Sequence, residues 1–396
     1  MNSHYSVAAH WAGDFDDAGL QKWAEELRNR LGAPKANLGL VFMAPKFFPY
    51  AAQTLELLRV HARVPLLAGC SSHSLIAAGE EIEEGGGLVL GLYHLPGAVL
   101  KPFYFTQQQL DDAAAPRVWH SASGISPAQT NGWLVFADPF RLDCEAWLKS
   151  WNQAYAPLPV VGGLASGEHN QQSTQIYLNG EVFEEGGVAI SVGGDVALAS
   201  VISQGCTPIG DTWTITKADR NFIHEIANRP AYEVLAETFS NLPLQEQQKA
   251  RGNLFVGLVM NEYLDEFHRG DFLIRNLIGA DPKSGTLAVG AYPRAGQTIQ
   301  FQRRDAAAGT EDMTTLLQKL RDQIEGRTVY GACLCSCNGR GHRLFGEQNH
   351  DARHVQEQIG PTGLAGFFCN GEIGPVGNQN FLHGYTASVA VFVKKT

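Results

Sequence analysis

The chain has 396 residues, a net charge of −10 and a hydrophobic fraction of 44%. That length favours two domains of ordinary size, and the acidic balance argues against nucleic acid as the main partner, because phosphate recognition needs a basic face. No apolar run approaches the ~20 residues of a membrane-spanning helix, and Met1 to Asp17 lacks the basic and apolar regions of a signal peptide. Seven cysteines without a secretory signal lead to the expectation of reduced thiols in the cytoplasm.

Residues 3–10 read as a first strand, and Asp14 to Leu31 as an amphipathic helix. Leu20, Trp23, Leu27 and Leu31 recur three or four apart, and Gly32 closes the run. Leu38 to Met43 is an apolar strand stopped by Pro45. A helix follows from about Ala51 to Arg63, then a strand from Leu66 to Gly69. The order recurs: a strand from Gly132 to Ala137 stopped by Asp138-Pro139, a helix from Cys144 to Tyr155, and an apolar start at Val160. It recurs again: a strand from Val329, a helix from His350 to Ile359, and an apolar run from Leu364 to Phe368. Between Ser203 and Ala231 the pattern breaks, which places the domain junction there. A helix from Ala231 to Phe239, a strand from Asn253 to Met260, paired strands Phe272 to Ile278 and Thr286 to Ala291, a strand from Thr298 to Arg303 and a helix from Thr310 to Ile324 complete the chain.

The three recurrences share one plan of about 60 residues: strand, turn, helix, strand, glycine-rich loop, strand. That length holds a βαβ crossover plus a hairpin. Each helix would cover one sheet face. The expected fold class is therefore α/β: two domains of repeated strand-helix-strand-strand units, with mixed sheets covered by helices. In each recurrence a Gly-Glu pair follows the second strand: Gly79-Glu80, Gly167-Glu168 and Gly371-Glu372. These are expected to be three related strand-end loops.

The third loop carries the strongest chemical signal. Glu372 stands among Gly371, Gly374 and Gly377. A carboxylate there can receive an ammonium or hydroxyl group, act as a base if desolvated, or pin its own loop through backbone N–H groups. Cys333, Cys335 and Cys337 alternate and so share a strand face; they do not form a CxxC motif. Cys337 ends the strand beside Arg340, whose guanidinium can depress a thiol pKa, hold a ligand carboxylate, or brace the loop. Cys333 and Cys335 read as buried, packed thiols. His350 and His354 share a helix face, read as solvated, since no third metal ligand is placed by spacing. His383 lies between the glycine-rich loop and the last strand, where it can bind a ligand, ligate heme iron, or cap the strand. There is no CxxCH, Walker A, GxGxxG at a strand-to-helix turn, or GxSxG, and Ser71, Ser72 and Ser166 lack a placed base.

Gly-Cys-Ser-Ser with Gly79-Glu80, Ser203-Gln-Gly-Cys-Thr-Pro-Ile-Gly, Cys337-Asn-Gly-Arg-Gly, and Gly366-Phe-Phe-Cys-Asn-Gly-Glu-Ile-Gly with His383 and Tyr385-Thr386 resemble the FIST family, the F-box and intracellular signal transduction proteins. The resemblance covers nearly the whole chain. It implies a FIST N-terminal domain over residues 1–229 and a FIST C-terminal domain over 230–396. The family is regarded as a sensory module for small ligands, with amino acids proposed, and Gln204 enters the candidate site through it. With no kinase, F-box or transmembrane part in the sequence, output would need a separate signalling protein.

The expectation is a cytoplasmic, non-enzymatic sensor of a small polar ligand, with no cofactor and no metal. Glu372, Arg340, Asn370, Asn380, His383, Cys337 and Gln204 are its candidate binding residues. Two alternatives stand beside it: a heme-binding nitric-oxide sensor acting on a partner kinase, as some stand-alone bacterial members of the family resemble, and an enzyme using Cys337 or Glu372.

Overall fold

The computed structural model describes residues 5–113, 115, 117–167 and 172–396. The chain forms two compact units that are not contiguous halves. The first comprises Met1–Ile202, Met313–Leu382 and Thr386–Thr396; the second comprises Ser203–Asp312 and His383–Tyr385. The break in pattern near residue 203 thus marks the start of an insertion, and the chain returns to the first unit at Met313.

The first unit holds three six-stranded sheets built on one plan. In the first, the strands Leu38–Met43 and Leu67–Ser71 run parallel, joined by the helix Ala51–His61; Leu88–Tyr93 returns antiparallel to Leu38–Met43. In the second, Gly132–Ala137 and Val160–Leu164 are the parallel pair, Cys144–Tyr155 the crossover helix and Gly187–Gly194 the return. In the third, the corresponding elements are Val329–Cys337, Leu364–Cys369, His350–Ile359 and Thr386–Lys394. Each set gains an outer strand: Ser6–Trp11, Ala98–Phe105 and Val196–Gln204 in turn. The three recurrences read from the sequence are therefore a true internal repeat.

A close backbone approach marks the equivalent position in each repeat. Gly69 pairs with Val41, Gly162 with Val135 and Gly366 with Leu334. A Cβ at these glycines would lie 1.8 Å from the Val41 carbonyl oxygen, 1.9 Å from that of Val135 and 2.1 Å from that of Leu334. Only glycine permits the parallel strands to meet this way.

The sheets are completed by exchange. After its second strand each repeat forms a short hairpin, and that hairpin pairs with another repeat. Leu75–Ala77 and Glu80–Ile82 extend the third sheet along Leu364–Cys369. Ile176–Leu178 and Glu181–Phe183 extend the first along Leu67–Ser71. Glu372–Val376 and Gln379–His383 extend the second along Val160–Leu164. No repeat satisfies the edge of its own second strand, so none completes its sheet alone. Where the second strands end, the Ser72 and Ser166 hydroxyls both reach the Phe368 carbonyl, at 2.8 and 2.6 Å, which joins all three repeats at one acceptor.

The inner faces of the three sheets share one core. Phe42 and Phe367 stack there at 4.6 Å and Phe136 meets both edge-on, at 5.4 and 5.9 Å, beside Cys70, Cys333, Cys335 and Cys369. The outer faces are covered by helices. Leu20, Leu27, Leu55 and Leu58 cover the first sheet, Trp119, Trp147 and Trp151 the second, and Met313, Leu317, Val355 and Ile359 the third. All but Trp119 fall on helices expected from the sequence; Trp119 lies on Arg117–Ser123, a short helix the sequence reading does not include. The predicted helix limits hold closely: Asp17–Arg30, Cys144–Tyr155 and His350–Ile359 are observed. The last long helix begins earlier than expected, at Ala306, because Asp305 accepts from the Ala308 N–H and starts it.

The second unit is a seven-stranded antiparallel sheet. Its long strand Cys206–Asp219 pairs with Thr298–Arg304 on one side and Phe222–Ile226 on the other, so six strands form a closed ring. An irregularity between Ile209 and Thr212, at Gly210, bends that strand. Ile215, Ile226, Val256, Leu287 and Phe301 fill the interior, with Val234 and Leu235 of the helix Ala231–Ser240 packed against them.

Replacing Gly366 by Ala isolates the close approach, because its backbone needs no unusual φ. The expected result in thermal or denaturant unfolding is a loss of about 3 kcal/mol or more, against less than about 1 kcal/mol for Gly79→Ala, whose added Cβ meets nothing closer than 3.8 Å.

Candidate functional site: a buried carboxylate at the third strand end

The parallel strands Val329–Cys337 and Leu364–Cys369 end in register, Cys337 opposite Cys369. Asn370 and Gly371 then turn the chain into the exchanged hairpin, whose first residue is Glu372. Glu372 lies opposite Gly163 of the second repeat, and Ile373 opposite Gly162.

Counting from the equivalent glycines identifies what the other repeats place here. Leu75 is opposite Phe367, one residue past Gly366; Ile176 is opposite Cys70, one residue past Gly69. Glu372 therefore corresponds to Leu75 and Ile176, both fully buried, and not to Glu80 or Glu168. Glu80 opens the second strand of its hairpin and is exposed; Glu168 lies outside the described residues. The expectation of three related Gly-Glu loops is corrected accordingly. The similarity in sequence falls at different places in the repeat, and one repeat alone puts a carboxyl at an apolar core position.

Glu372 is itself fully buried. One carboxylate oxygen accepts from the Cys369 thiol at 3.2 Å. The other accepts from the Thr386 N–H at 3.1 Å and its hydroxyl at 2.8 Å. Burial raises its pKa to about 7; hydrogen bonds from Thr386 and Cys369, and the more distant charge of Arg340, pull against that rise. Cys369 is driven well above the usual thiol range by burial and by the Glu372 charge. The thiol is therefore the proton donor of the pair, and the carboxyl is poised to change charge near neutrality.

The surrounding strand ends are tied together by amides. The Asn338 N–H donates to the Cys369 carbonyl at 3.0 Å, and its side chain to Asn370 Oδ1 at 2.8 Å. Asn370 Nδ2 donates to the Ala165 carbonyl at 3.0 Å. Asn370 is exposed, and Cys337 and Asn338 are half-buried, so the buried carboxyl lies within a few residues of the surface. The Gly339 N–H points to Cys337 Sγ at 3.5 Å.

Arg340 is 1% exposed and grips Asp351, with Nε on Oδ2 at 2.7 Å and Nη2 on Oδ1 at 2.8 Å. Its charge is thus balanced within the chain, and of the roles open to it from the sequence the structure shows the brace, between the loop and the helix His350–Ile359. Ser336 Oγ also donates to Asp351, at 2.9 Å, and His350 Nδ1 lies 2.9 Å from it. Burial acts to raise the Asp351 pKa, but the Arg340 charge and the hydrogen bonds of Arg340 and His350 outweigh it and hold it well below the usual carboxylate range. His350, expected on a solvated face, is fully buried and stacked 3.4 Å from the Phe345 ring; the helix face it occupies meets the loop and not water.

The exchanged hairpin of the first repeat completes this brace. Glu81 Oε1 accepts from the Ala352 N–H at 2.9 Å, at the start of His350–Ile359. Glu83 Oε1 accepts from the His342 N–H at 2.7 Å. Burial, and then the charge of Asp351, raise Glu81 to about 7. Sequence reasoning missed Glu81 and Asp351. Their signal was partial: an acid on the inward phase of a short strand, and an acid in the first turn of a helix.

The other predicted residues scatter. Asn380 is committed to the hairpin: both amide hydrogens are taken, by Asn152 Oδ1 at 2.8 Å and the Leu158 carbonyl at 3.1 Å, and Oδ1 accepts from the Val160 N–H at 2.8 Å. It clamps the exchanged strand onto the second repeat and has no amide hydrogen left for a ligand. Gln204 and His383 fall in the second unit. Gln204 donates through Nε2 to the Phe272 carbonyl at 2.8 Å and through its backbone N–H to Asp312 at 2.7 Å; His383 is buried. Within the first unit, Cys337, Asn370 and Glu372 come together, with Cys369 and Thr386 as partners the sequence did not single out as a group. Among the described residues no cluster of three or more His, Cys, Asp or Glu is placed to hold a metal ion. None of the described helices is long and apolar enough to cross a membrane.

Fold and site together define an α/β protein with a threefold internal repeat, an inserted antiparallel sheet, and a buried carboxyl, Glu372, after the second strand of the third repeat. The chain belongs to the FIST family: the FIST N domain matches residues 37–229 and the FIST C domain residues 231–375. Those limits run through the inserted unit, so each family domain contributes to both compact units. Uncharacterized proteins of Mycobacterium tuberculosis and Mycobacterium bovis are 32% identical over 373 residues, covering 93% of this chain and 94% of theirs. Among solved structures, a cyanuric acid hydrolase aligns over 98% of both chains at 11% identity and a TM-score of 0.32. Another, from A. caulinodans, covers 99% of this chain and 100% of its own at 9% identity and a TM-score of 0.36.

Two predictions follow from the charges. Glu81 and Glu372 have folded-state pKa values near 7, above the ordinary 4.5. The folded state then binds more protons than the unfolded state between these values. Their contribution is full below pH ~4.5 and is lost as pH rises through 7, on the order of 1–3 kcal/mol per carboxyl. Asp351 acts oppositely and loses its contribution at acidic pH, below the ordinary carboxylate range. Denaturant unfolding against pH should show stability falling from about pH 5 to 8 in the wild type, with a shallower slope in Glu372→Gln. For the brace, Asp351→Ala should cost about 3–5 kcal/mol by stranding Arg340, and the paired change Arg340→Met with Asp351→Leu should recover most of it, as read from the same unfolding curves.

Proposed function

We propose that this protein is a cytoplasmic sensor that binds a small ligand carrying an ammonium group, an amino acid or a related amine, and reports its presence to a separate signalling protein. FIST domains are associated with small-ligand sensing in signal transduction, and the reading refines that role. The observation that carries it is Glu372, a carboxyl at a position that the two sister repeats fill with Leu75 and Ile176. A buried acid is unfavourable for the fold where a leucine or isoleucine suffices, so its presence is best accounted for by a ligand that it serves. An ammonium group compensates a desolvated carboxylate by charge and by hydrogen bonding. Asn338, Asn370 and the half-buried Cys337 supply the polar mouth. On binding, Glu372 would give up its proton and become a full anion paired with the ammonium group.

That last step gives the test its sign. Calorimetric titration with a panel of amino acids and small amines should find a ligand whose affinity rises with pH through 7, with proton release on binding, read as a binding heat that varies linearly with buffer ionisation enthalpy. Glu372→Gln should weaken binding at least about tenfold while the protein stays folded by circular dichroism. Binding unchanged in Glu372→Gln, or no stabilisation by any amine, would overturn the reading. A Soret band after heme reconstitution, lost in His383→Ala, would replace it with a heme sensor.

A further inference from the structure

The third repeat concentrates three reactive side chains where its sisters have none in combination. Counted from the equivalent glycines, Cys337, Cys369 and Glu372 correspond to Ala44, Ser72 and Leu75 in the first repeat. In the second they correspond to Asp138, Ala165 and Ile176. The fold therefore does not require two thiols and an acid here. Cys337 and Cys369 are register partners on adjacent parallel strands, so their side chains leave the sheet on the same face. Strands in a sheet lie about 4.8 Å apart, inside the ~4.4–6.8 Å range of Cα separations that a disulfide spans. The thiols differ in access: Cys337 is half-buried and Cys369 fully buried. The Cys369 thiol lies 3.2 Å from Glu372 Oε1 and 3.2 Å from the Ser336 carbonyl oxygen, its two acceptors, and the Gly339 N–H faces Cys337 Sγ at 3.5 Å.

We propose that Cys337 and Cys369 form a peroxide-responsive dithiol that closes to a cross-strand disulfide, with Glu372 as the base that takes the proton of the resolving thiol. The Cys337 thiolate attacks a peroxide oxygen; the O–O bond breaks, hydroxide leaves, and Cys337 becomes a sulfenic acid. The Cys369 sulfur then attacks Cys337 Sγ while its proton passes to Glu372. The S–S bond forms, the S–O bond breaks, and the departing hydroxide takes the proton from Glu372 as water. Two thiols and one hydrogen peroxide give one disulfide and two waters, a two-electron oxidation. Closure removes the thiol donor from Glu372, which leaves that carboxyl with Thr386 alone of the two side-chain donors described. The dithiol step needs no ligand, so it stands or falls apart from the ammonium-binding reading.

The test is peroxide treatment of the purified full chain, followed by thiol blocking and non-reducing peptide mass mapping. The expected product joins the peptides of Cys337 and Cys369, with a loss of two free thiols that dithiothreitol reverses. Cys369→Ser should trap the Cys337 sulfenic acid, read as at least a fivefold gain in dimedone labelling. Glu372→Gln should slow disulfide closure about tenfold or more without slowing Cys337 oxidation, a split that a purely structural acid would not produce. Cys337 driven to sulfinic acid with Cys369 unmodified in the wild type would overturn the proposal, as would a disulfide joining any other pair. Since the mapping uses the wild-type protein, a variant that fails to fold leaves the proposal open to refutation.

Discussion

The exchange of hairpins among the three repeats is the constraint on which the first unit depends. Each second strand would end as a bare edge, and each is completed by a hairpin from another repeat. The parallel pairs come close enough to share an inner core because Gly69, Gly162 and Gly366 have no side chain to hold them apart. The Phe42, Phe136 and Phe367 rings and the Ser72 and Ser166 hydroxyls on Phe368 then lock the three repeats at one place. Folding of this unit is consequently non-local: the first repeat's hairpin finds its partner strand more than 280 residues later, at Leu364–Cys369.

The same exchange builds the candidate site. Glu372 sits on a strand that belongs to the third repeat and pairs with the second, and its partners Cys369 and Thr386 come from the strands before and after it. Asn380 fixes the far end of that hairpin to Asn152 and Val160. On the neighbouring face, the first repeat's Glu81 and Glu83 hold the helix and loop that Arg340 and Asp351 brace. Asp351 and Glu372, both fully buried, differ in character. Asp351 is compensated by a fixed cation and is a structural anion. Glu372 has only neutral donors and retains a proton near neutrality, which is the property a responsive group needs.

Much of this architecture was legible in the sequence. The strand-helix-strand order, the helix stripes and the threefold recurrence follow from periodicity and from Gly and Pro punctuation, and the helices Cys144–Tyr155 and His350–Ile359 fall where the apolar spacing puts them. Hairpin exchange was not legible, because strand partners are chosen by edges far apart in sequence. The Gly-Glu pairs misled for a related reason: equal dipeptides at unequal register look alike until pairing fixes which residue faces the core. Arg340 drew attention as a cation in a glycine loop, yet its partner, Asp351, lay in a helix whose buried face only packing reveals. Glu372 is visible in the sequence as a candidate, but only the strand register shows that it stands in place of Leu75 and Ile176.

The central claim is that Glu372 is a buried carboxyl that exchanges its proton near neutral pH. Difference infrared spectroscopy between the wild type and Glu372→Gln, recorded against pH, reads that group directly through the carboxyl stretch of a protonated, desolvated acid. The account predicts a protonated carboxyl band that belongs to Glu372 and disappears with a midpoint near pH 7. A midpoint near 4.5, the ordinary value for a glutamate in water, would contradict it.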